Sequence, residues 1–134
     1  MWSDDLLLGN MVIDKQHKHL FTIVGGLLET YSNHDNVDKN TLIQTLNFLK
    51  EYTINHFDYE EKLQVSAKYS GYEEHKKLHK NLLDKLNQHE RALIESDFSK
   101  EELKTFASTL VSWLTHHVGV EDKKINLKDV YVGT

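Results

Sequence analysis

The 134-residue chain contains no cysteine and no proline. Without cysteine it can form no disulfide, thiolate nucleophile, zinc–thiolate site or iron–sulfur cluster, so any metal must be bound by nitrogen and oxygen atoms. Without proline it lacks the strongest helix breaker, which favours a nearly all-helical fold.

Two further absences narrow the class of protein. The 16 basic and 21 acidic residues give a net charge of −5, and no basic run or stripe could follow a phosphate backbone, so we expect no nucleic-acid partner. No apolar run approaches the roughly 20 residues that span a bilayer, and the first residues lack the features of a secretory signal. We therefore expect one soluble, cytoplasmic domain over residues 1–134, with no membrane partner.

Apolar residues recur at helical spacing in four segments. The spacing predicts helices over roughly residues 14–31, 41–66, 71–95 and 100–127, with Asn40 or Thr41 as the N-cap of the second. Ser99 followed by Glu102 has the form of a capping box at the start of the fourth helix. Four amphipathic helices with short connections favour an all-α, up-down-up-down bundle with antiparallel neighbours.

Six polar residues occupy positions in the apolar stripes: His17, His56, Glu60, His75, His79 and His117. Burying such groups without partners would cost on the order of a few kcal/mol each, so we expect them to be paired or bound to metal. Each lies near the end of its helix that meets the others in an antiparallel bundle. Chain order therefore predicts a single polar cluster at one end of the core.

The spacing within the cluster favours metal binding. His56 and Glu60 are four residues apart, as are His75 and His79, so each pair shares a helix face and can reach one ion. Five imidazoles exceed what one tetrahedral zinc ion needs, which indicates two ions bridged by carboxylates. Nitrogen and oxygen ligands of this kind suit iron, manganese, zinc or copper.

Four strings in the chain resemble the hemerythrin family, in particular its bacterial members. They are Ile-Asp-Lys-Gln-His at 13–17, His-Phe-Asp-Tyr-Glu-Glu at 56–61, Glu-His-Lys-Lys-Leu-His at 74–79 and Trp-Leu-Thr-His-His-Val-Gly-Val-Glu-Asp at 113–122. Together, in this order, they are a specific signal that covers nearly the whole chain. Hemerythrins are themselves an established example of the four-helix bundle.

The resemblance implies a non-haem diiron centre with an oxo or hydroxo bridge, which binds dioxygen reversibly at an open position of the second iron. The implied ligands are His75, His79 and His117 for one iron, His17 and His56 for the other, and Glu60 and Asp122 as bridges. The implied walls of the oxygen pocket are Phe21, Phe57, Trp113, Leu114 and Val118. A dry apolar pocket of this kind would protect the iron pair from autoxidation.

Sequence alone supports two choices for the last ligand. Asp122 lies five residues after His117, about 140° around a regular helix, whereas Glu121 lies four residues after it and is better placed. The family pattern selects Asp122, which could reach the metals through a local widening of the helix near Gly119.

The remaining histidines are expected to lie outside the site. We expect His116 to face outward or sideways and His89 to sit at the core edge, about 15 Å along the helix from His79. His19 and His34 are expected to be exposed to solvent.

Reversible dioxygen binding for storage, delivery or sensing is the first functional hypothesis, and it makes the chain a binding protein rather than an enzyme. The alternatives are a diiron oxidase, peroxidase or nitric oxide reductase on the same ligands, and a module that senses oxygen or iron. Oxygen-activating enzymes of the ferritin-like bundles carry carboxylate-rich sites, whereas imidazoles outnumber carboxylates here.

Overall fold

The computed structural model of the protein describes residues 2–32 and 38–125, and the structural statements below concern those residues. Most of them form four α-helices, which are α1 (Met11–Ser32), α2 (Lys39–Ser66), α3 (Tyr72–Glu95) and α4 (Lys100–His116). A short 3-10 helix at Asp4–Leu6 precedes α1, and a π-helical turn at His117–Glu121 and a 3-10 helix at Asp122–Lys124 follow α4. No strand occurs in this part of the chain.

The four helices pack as a ring, in which α1 contacts α2 and α4, and α3 contacts the same two neighbours. The predicted all-α, up-down-up-down bundle is therefore confirmed. Apolar side chains from all four helices, among them Phe21, Leu49, Leu86 and Phe106, form one core cluster. None of the described helices combines the length and hydropathy needed to cross a membrane.

Two helices start earlier than predicted, because a polar side chain before each predicted start caps the helix. The first helix starts at Met11 instead of residue 14, since the Asn10 side chain accepts hydrogen bonds from two backbone N–H groups of the first turn, each at 3.1 Å. The second helix is capped by Asp38 and not by Asn40 or Thr41. The Asp38 carboxylate accepts a hydrogen bond of 3.1 Å from the N–H of Asn40.

The connection between α3 and α4 follows the prediction more closely. The hydroxyl of Ser99 accepts a hydrogen bond of 3.1 Å from the N–H of Glu102, so Ser99 is confirmed as the N-cap of the fourth helix. The N–H of Ser99 donates to the hydroxyl of Ser96 at 3.2 Å, and this bond takes the place of the reciprocal bond to Glu102 in a capping box. The chain reverses direction just before the cap, where Asp97 and Phe98 have positive φ angles of 55° and 58°. Left-handed backbone in two successive residues is a compact way to end one helix and begin the next.

The largest departure from the predicted helices lies after α4. The fourth helix was expected to reach residue 127, but its α-helical part ends at His116, and in the π-helical turn the N–H of Asp122 donates to the carbonyl of His117. A Cβ on Gly119 would lie only 3.2 Å from Cδ2 of Leu6, so glycine permits the N-terminal segment to pack against this turn. The π-helical turn is the local widening of the helix that was expected near Gly119.

Two predictions fall outside the described residues. They are the solvent exposure of His34 and the last two residues of the predicted fourth helix, 126–127.

Candidate metal centre

One end of the bundle core contains all the polar side chains expected there. Their exposed fractions lie between 0 and 4 %, and they are His17, His56, Glu60, His75, His79, His117 and Asp122. Apolar side chains lie on both sides of them along the bundle. The main apolar core lies on one side. A smaller apolar group lies on the other side and consists of Ile13, Leu63 and Ile125, each three or four positions along the chain from a residue of the polar cluster. The polar cluster is thus shielded from water.

Three imidazoles and two carboxylate oxygens form the first half of the cluster. Nε2 of His75 lies 2.9 Å from Oε1 of Glu60 and 3.0 Å from Oδ1 of Asp122. Nε2 of His79 lies 3.3 Å from the same Glu60 oxygen, and Nε2 of His117 lies 3.1 Å from the same Asp122 oxygen. The Nε2 atoms of His79 and His117 are 3.2 Å apart. Five donor atoms therefore face a common space.

Two imidazoles and the other two carboxylate oxygens form the second half. Nε2 of His17 lies 3.5 Å from Oε2 of Glu60 and 3.2 Å from Oδ2 of Asp122. Nε2 of His56 lies 3.2 Å from Oε2 of Glu60. Burial lowers the pKa of His56, which favours the neutral imidazole that a metal ligand must be.

Each carboxylate divides its two oxygens between the halves. Glu60 directs Oε1 toward His75 and His79, and directs Oε2 toward the second half. Asp122 likewise directs Oδ1 toward His75 and His117, and Oδ2 toward His17. A carboxylate that bridges two metal ions presents its oxygens in this way.

The distances within the cluster match those expected between ligands of one metal ion. Two ligand atoms about 2.1 Å from one ion, at angles of about 90–109°, lie about 3.0–3.4 Å apart, close to the contacts in the cluster. Neither oxygen of Asp122 and neither ring nitrogen of His17 has a hydrogen-bond partner among the described residues, although all four atoms are buried. Polar atoms this close, with their hydrogen-bonding capacity unused, are suited to share cations. The side chains present therefore fit a pair of metal ions.

The two buried carboxylates also require positive charge. Burial by itself lowers the pKa of His17, but Asp122 and Glu60 beside it outweigh burial and raise that pKa to about 9. The same balance raises the pKa of His75 to about 9. Burial opposes ionisation of Glu60, yet contacts with four of the histidines hold its pKa well below the usual range. Bound cations would supply the charge that protons supply otherwise, and their binding would release those protons.

The structure turns Asp122 and not Glu121 toward the cluster. The side chain of Asp122 is fully buried, whereas that of Glu121 is 21 % exposed and lies 3.2 Å from Nζ of Lys124 and 3.7 Å from Nε2 of His116. In the π-helical turn the backbone hydrogen bond spans five residues instead of four, so Asp122, five residues after His117, faces the same side of the helix as His117. This position supports the bridging role that the family pattern implies for Asp122, which we retain as a proposal.

Three polar residues that were not predicted contact the cluster from behind. Oε1 of Gln16 lies 2.7 Å from Nδ1 of His56, and Oε2 of Glu61 lies 3.0 Å from Nδ1 of His79. Each oxygen accepts from a protonated Nδ1, which leaves Nε2 with its lone pair toward the cluster. The amide of Gln64 donates to the neighbouring cluster carboxylate at 3.3 Å. Their only sequence signal is their position beside or one turn from predicted ligands.

Two of the predicted pocket walls contact cluster histidines directly. The ring of Phe57 stacks on His79 with a centroid distance of 3.8 Å and an interplanar angle of 5°. Trp113 lies parallel to His117 at 5.6 Å, with an angle of 10°. These aromatic faces restrict the rotation of two imidazoles and keep water from that side of the cluster.

A mostly apolar cavity of about 490 Å³, partly open to solvent, is lined by residues from all four helices. On each helix one lining residue is three positions from a cluster histidine, and these residues are Leu20, Thr53, Leu82 and Leu114. Of the predicted pocket walls, Trp113 and Leu114 line this cavity, whereas Phe21, Phe57 and Val118 are buried without lining it. The five-residue oxygen pocket therefore stays a prediction.

The other described histidines lie outside the cluster, as expected. The side chain of His116 is 67 % exposed. His89 is half-buried, with its ring 6.3 Å from that of Phe106. His19 is exposed and packs against Tyr52 at 4.8 Å.

Comparisons with known proteins agree on one family. A family model described as the hemerythrin HHE cation binding domain matches residues 9–126. The chain is 28 % identical to a bacteriohemerythrin of Pseudomonas aeruginosa over 122 residues, which cover 91 % of this chain and 76 % of that protein. It is 30 % identical to a bacteriohemerythrin of Clostridium acetobutylicum, with 92 % and 96 % of the two chains covered. It is 32 % identical to a hemerythrin of Sipunculus nudus, with 92 % and 88 % covered.

Proposed function

Because the chain belongs to the hemerythrin family, we propose that it binds dioxygen reversibly at a carboxylate-bridged pair of iron ions. The observation that carries the proposal is the division of the oxygens of Glu60 and Asp122 between two groups of imidazoles. When bound, a pair of ferrous ions supplies a binding position for dioxygen and one electron from each ion.

The two halves of the cluster would hold their ions unequally. One ion would receive the nitrogens of His75, His79 and His117 and one oxygen from each carboxylate. The other would receive the nitrogens of His17 and His56 and the remaining two oxygens. Because the second half supplies one donor fewer, we assign the dioxygen position to it.

The surrounding side chains favour release of the intact gas over reaction. Apolar core lies on both sides of the cluster, and its polar atoms are almost completely removed from solvent. In such surroundings, separation of charge between the ions and a departing oxygen species is unfavourable, because water is not there to solvate either product. Reversible binding depends on this exclusion.

The donor types also favour binding over catalysis. The two groups of potential metal ligands found in the described residues contain five histidines and two carboxylates. Oxygen-activating diiron enzymes of the ferritin-like type use four glutamates and two histidines, whose oxygen donors suit higher oxidation states. Storage, delivery and sensing are three uses of the same binding equilibrium.

Gas stoichiometry tests the proposal against the enzyme alternative. We would reconstitute the chain with iron, reduce it without air and measure dioxygen uptake and recovery with an oxygen electrode, first alone and then with a two-electron reductant. We expect uptake of one dioxygen per two irons and its recovery under vacuum. Continuous uptake with consumption of the reductant would contradict reversible binding and support the oxidase alternative.

A further inference from the structure

The hydrogen-bond partners behind the two halves of the metal centre differ in charge. Behind the three-histidine half, the carboxylate of Glu61 accepts a hydrogen bond of 3.0 Å from Nδ1 of His79. Behind the two-histidine half, the neutral amide oxygen of Gln16 accepts one of 2.7 Å from Nδ1 of His56. Both contacts have ordinary hydrogen-bond length, so the main difference between them is the negative charge.

Other groups do little to neutralise the Glu61 charge. Its one ion pair among the described residues is with His79, at 3.0 Å, although Lys62 is its immediate neighbour in the chain. Lys62 instead pairs with Asp58 on the solvent side of α2, at 2.9 Å. The side chain of Glu61 is only 20 % exposed, so water screens it less than it screens a surface carboxylate.

A carboxylate that accepts the Nδ1 proton makes Nε2 of the same ring a stronger donor to a metal ion. A stronger donor stabilises ferric iron more than ferrous iron, because the ferric ion carries the higher charge. A neutral amide acceptor has a smaller effect. The two halves should therefore differ in how readily their ions lose one electron.

We propose that Glu61 is a positioning residue that lowers the reduction potential of the iron held by His75, His79 and His117, while Gln16 leaves the iron of the other half harder to oxidise. The inference rests on the proposed function, because it requires iron in both halves. The iron that has the full set of protein donors is then the easier of the two to oxidise. The ion with the open position would then stay ferrous more readily and available to dioxygen.

Two reciprocal charge changes and one control test this inference. Glu61→Gln keeps an oxygen that can accept from Nδ1 and removes the charge, and Gln16→Glu adds a charge on the other side. Asp58→Asn is the matched control, because it removes one negative charge from the same helix at a side chain that is 64 % exposed. Each holoprotein would be titrated without oxygen in a spectroelectrochemical cell, and its two one-electron midpoint potentials compared with the wild type.

We expect Glu61→Gln to raise the lower of the two midpoint potentials by about 59 mV, which corresponds to a tenfold change in the ferric-to-ferrous ratio for one electron. Gln16→Glu should lower the upper midpoint by a similar factor, and Asp58→Asn should leave both in place. Midpoints in Glu61→Gln that match those of Asp58→Asn would overturn the inference, as would equal movement of both midpoints. Gln16→Glu provides a second test if Glu61→Gln loses iron.

Iron content separates failure of this inference from failure of the proposed function. A wild-type chain that binds two irons, but whose midpoints do not respond to Glu61→Gln and Gln16→Glu, overturns only the role of these two residues. A wild-type chain that binds no iron contradicts the metal centre itself, and the inference with it. The titration uses no dioxygen, so its outcome is independent of reversible gas binding.

Discussion

Replacing Asp122 by alanine should remove an iron ligand from both halves of the centre, whereas replacing Glu121 should not. Oδ1 of Asp122 contacts His75 and His117, and Oδ2 contacts His17, so the alanine variant loses one oxygen donor per ion. Loss of a group that only supports a ligand typically costs 10–100-fold in metal affinity. Loss of a direct donor should cost more than about 100-fold, or about 2.7 kcal/mol for each ion.

Glu121→Ala is the matched control, because the two acidic residues are adjacent in the chain. The contacts it removes, with Lys124 at 3.2 Å and His116 at 3.7 Å, lie at the surface, where an ion pair contributes at most about 1 kcal/mol to stability. We therefore expect near-wild-type iron content in Glu121→Ala.

The assay measures the number of irons bound per folded chain after anaerobic reconstitution and removal of free metal. Circular dichroism verifies that each variant keeps its helical content. Asp122→Ala should hold fewer than two irons under conditions that saturate the wild type and Glu121→Ala. Two bound irons in Asp122→Ala, together with loss of iron in Glu121→Ala, would refute the prediction. Glu121, which regular helix spacing favours, would then be the ligand instead of Asp122.

Two further predictions concern the metal centre, and a third concerns a helix cap outside it. His117→Ala should lower the iron content toward one per chain, because it removes one of three nitrogens from one half; two tightly held irons in that variant would show the assignment to be wrong. Removal of iron should lower the melting temperature by roughly 10 °C, because a ligand at about 100 times its Kd stabilises the folded chain by about 2.7 kcal/mol. Calorimetry of the apo and holo forms measures this difference, and equal melting temperatures would contradict the prediction. Ser99→Ala should cost about 1 kcal/mol of unfolding free energy in urea titrations and leave the iron content unchanged, since the serine caps α4 far along the chain from the cluster.

The bundle and the location of its polar cluster could be predicted because both depend on local patterns. Helical spacing of apolar residues identified four helices, and an up-down order then brought His17, His56, His75 and His117 to the same end. A buried polar residue in an apolar stripe is costly without a partner, so the stripes also identified which polar residues to expect inside. None of this needed knowledge of contacts between helices.

Asp122 could not be placed from regular helix geometry, because its position depends on a π-helical turn that the apolar pattern does not reveal. A regular α-helix turns Glu121 toward the cluster, and only the π-helical turn brings Asp122 there instead. Gly119 in that turn packs against Leu6, more than a hundred residues earlier in the chain. The family pattern indicated Asp122, and the structure supplies the physical reason.

The residues behind the predicted ligands were missed for a related reason. Gln16 reaches from α1 to His56 on α2, and Glu61 reaches from α2 to His79 on α3. Such contacts depend on how each helix is rotated about its axis relative to its neighbour, and the apolar stripe fixes that rotation only approximately. A polar residue beside the stripe could face either solvent or the adjacent helix.

Repeated exposure to dioxygen would show whether the iron pair binds the gas reversibly. The iron-loaded, fully reduced protein would be titrated anaerobically with dioxygen while its visible spectrum is recorded, then purged with inert gas and titrated again. We expect an absorption band that grows with dioxygen, saturates at one gas molecule per iron pair and disappears on purging, with the same amplitude in the next cycle. A spectrum that changes once and stays changed after purging, with reduced oxygen species released into solution, would contradict reversible binding.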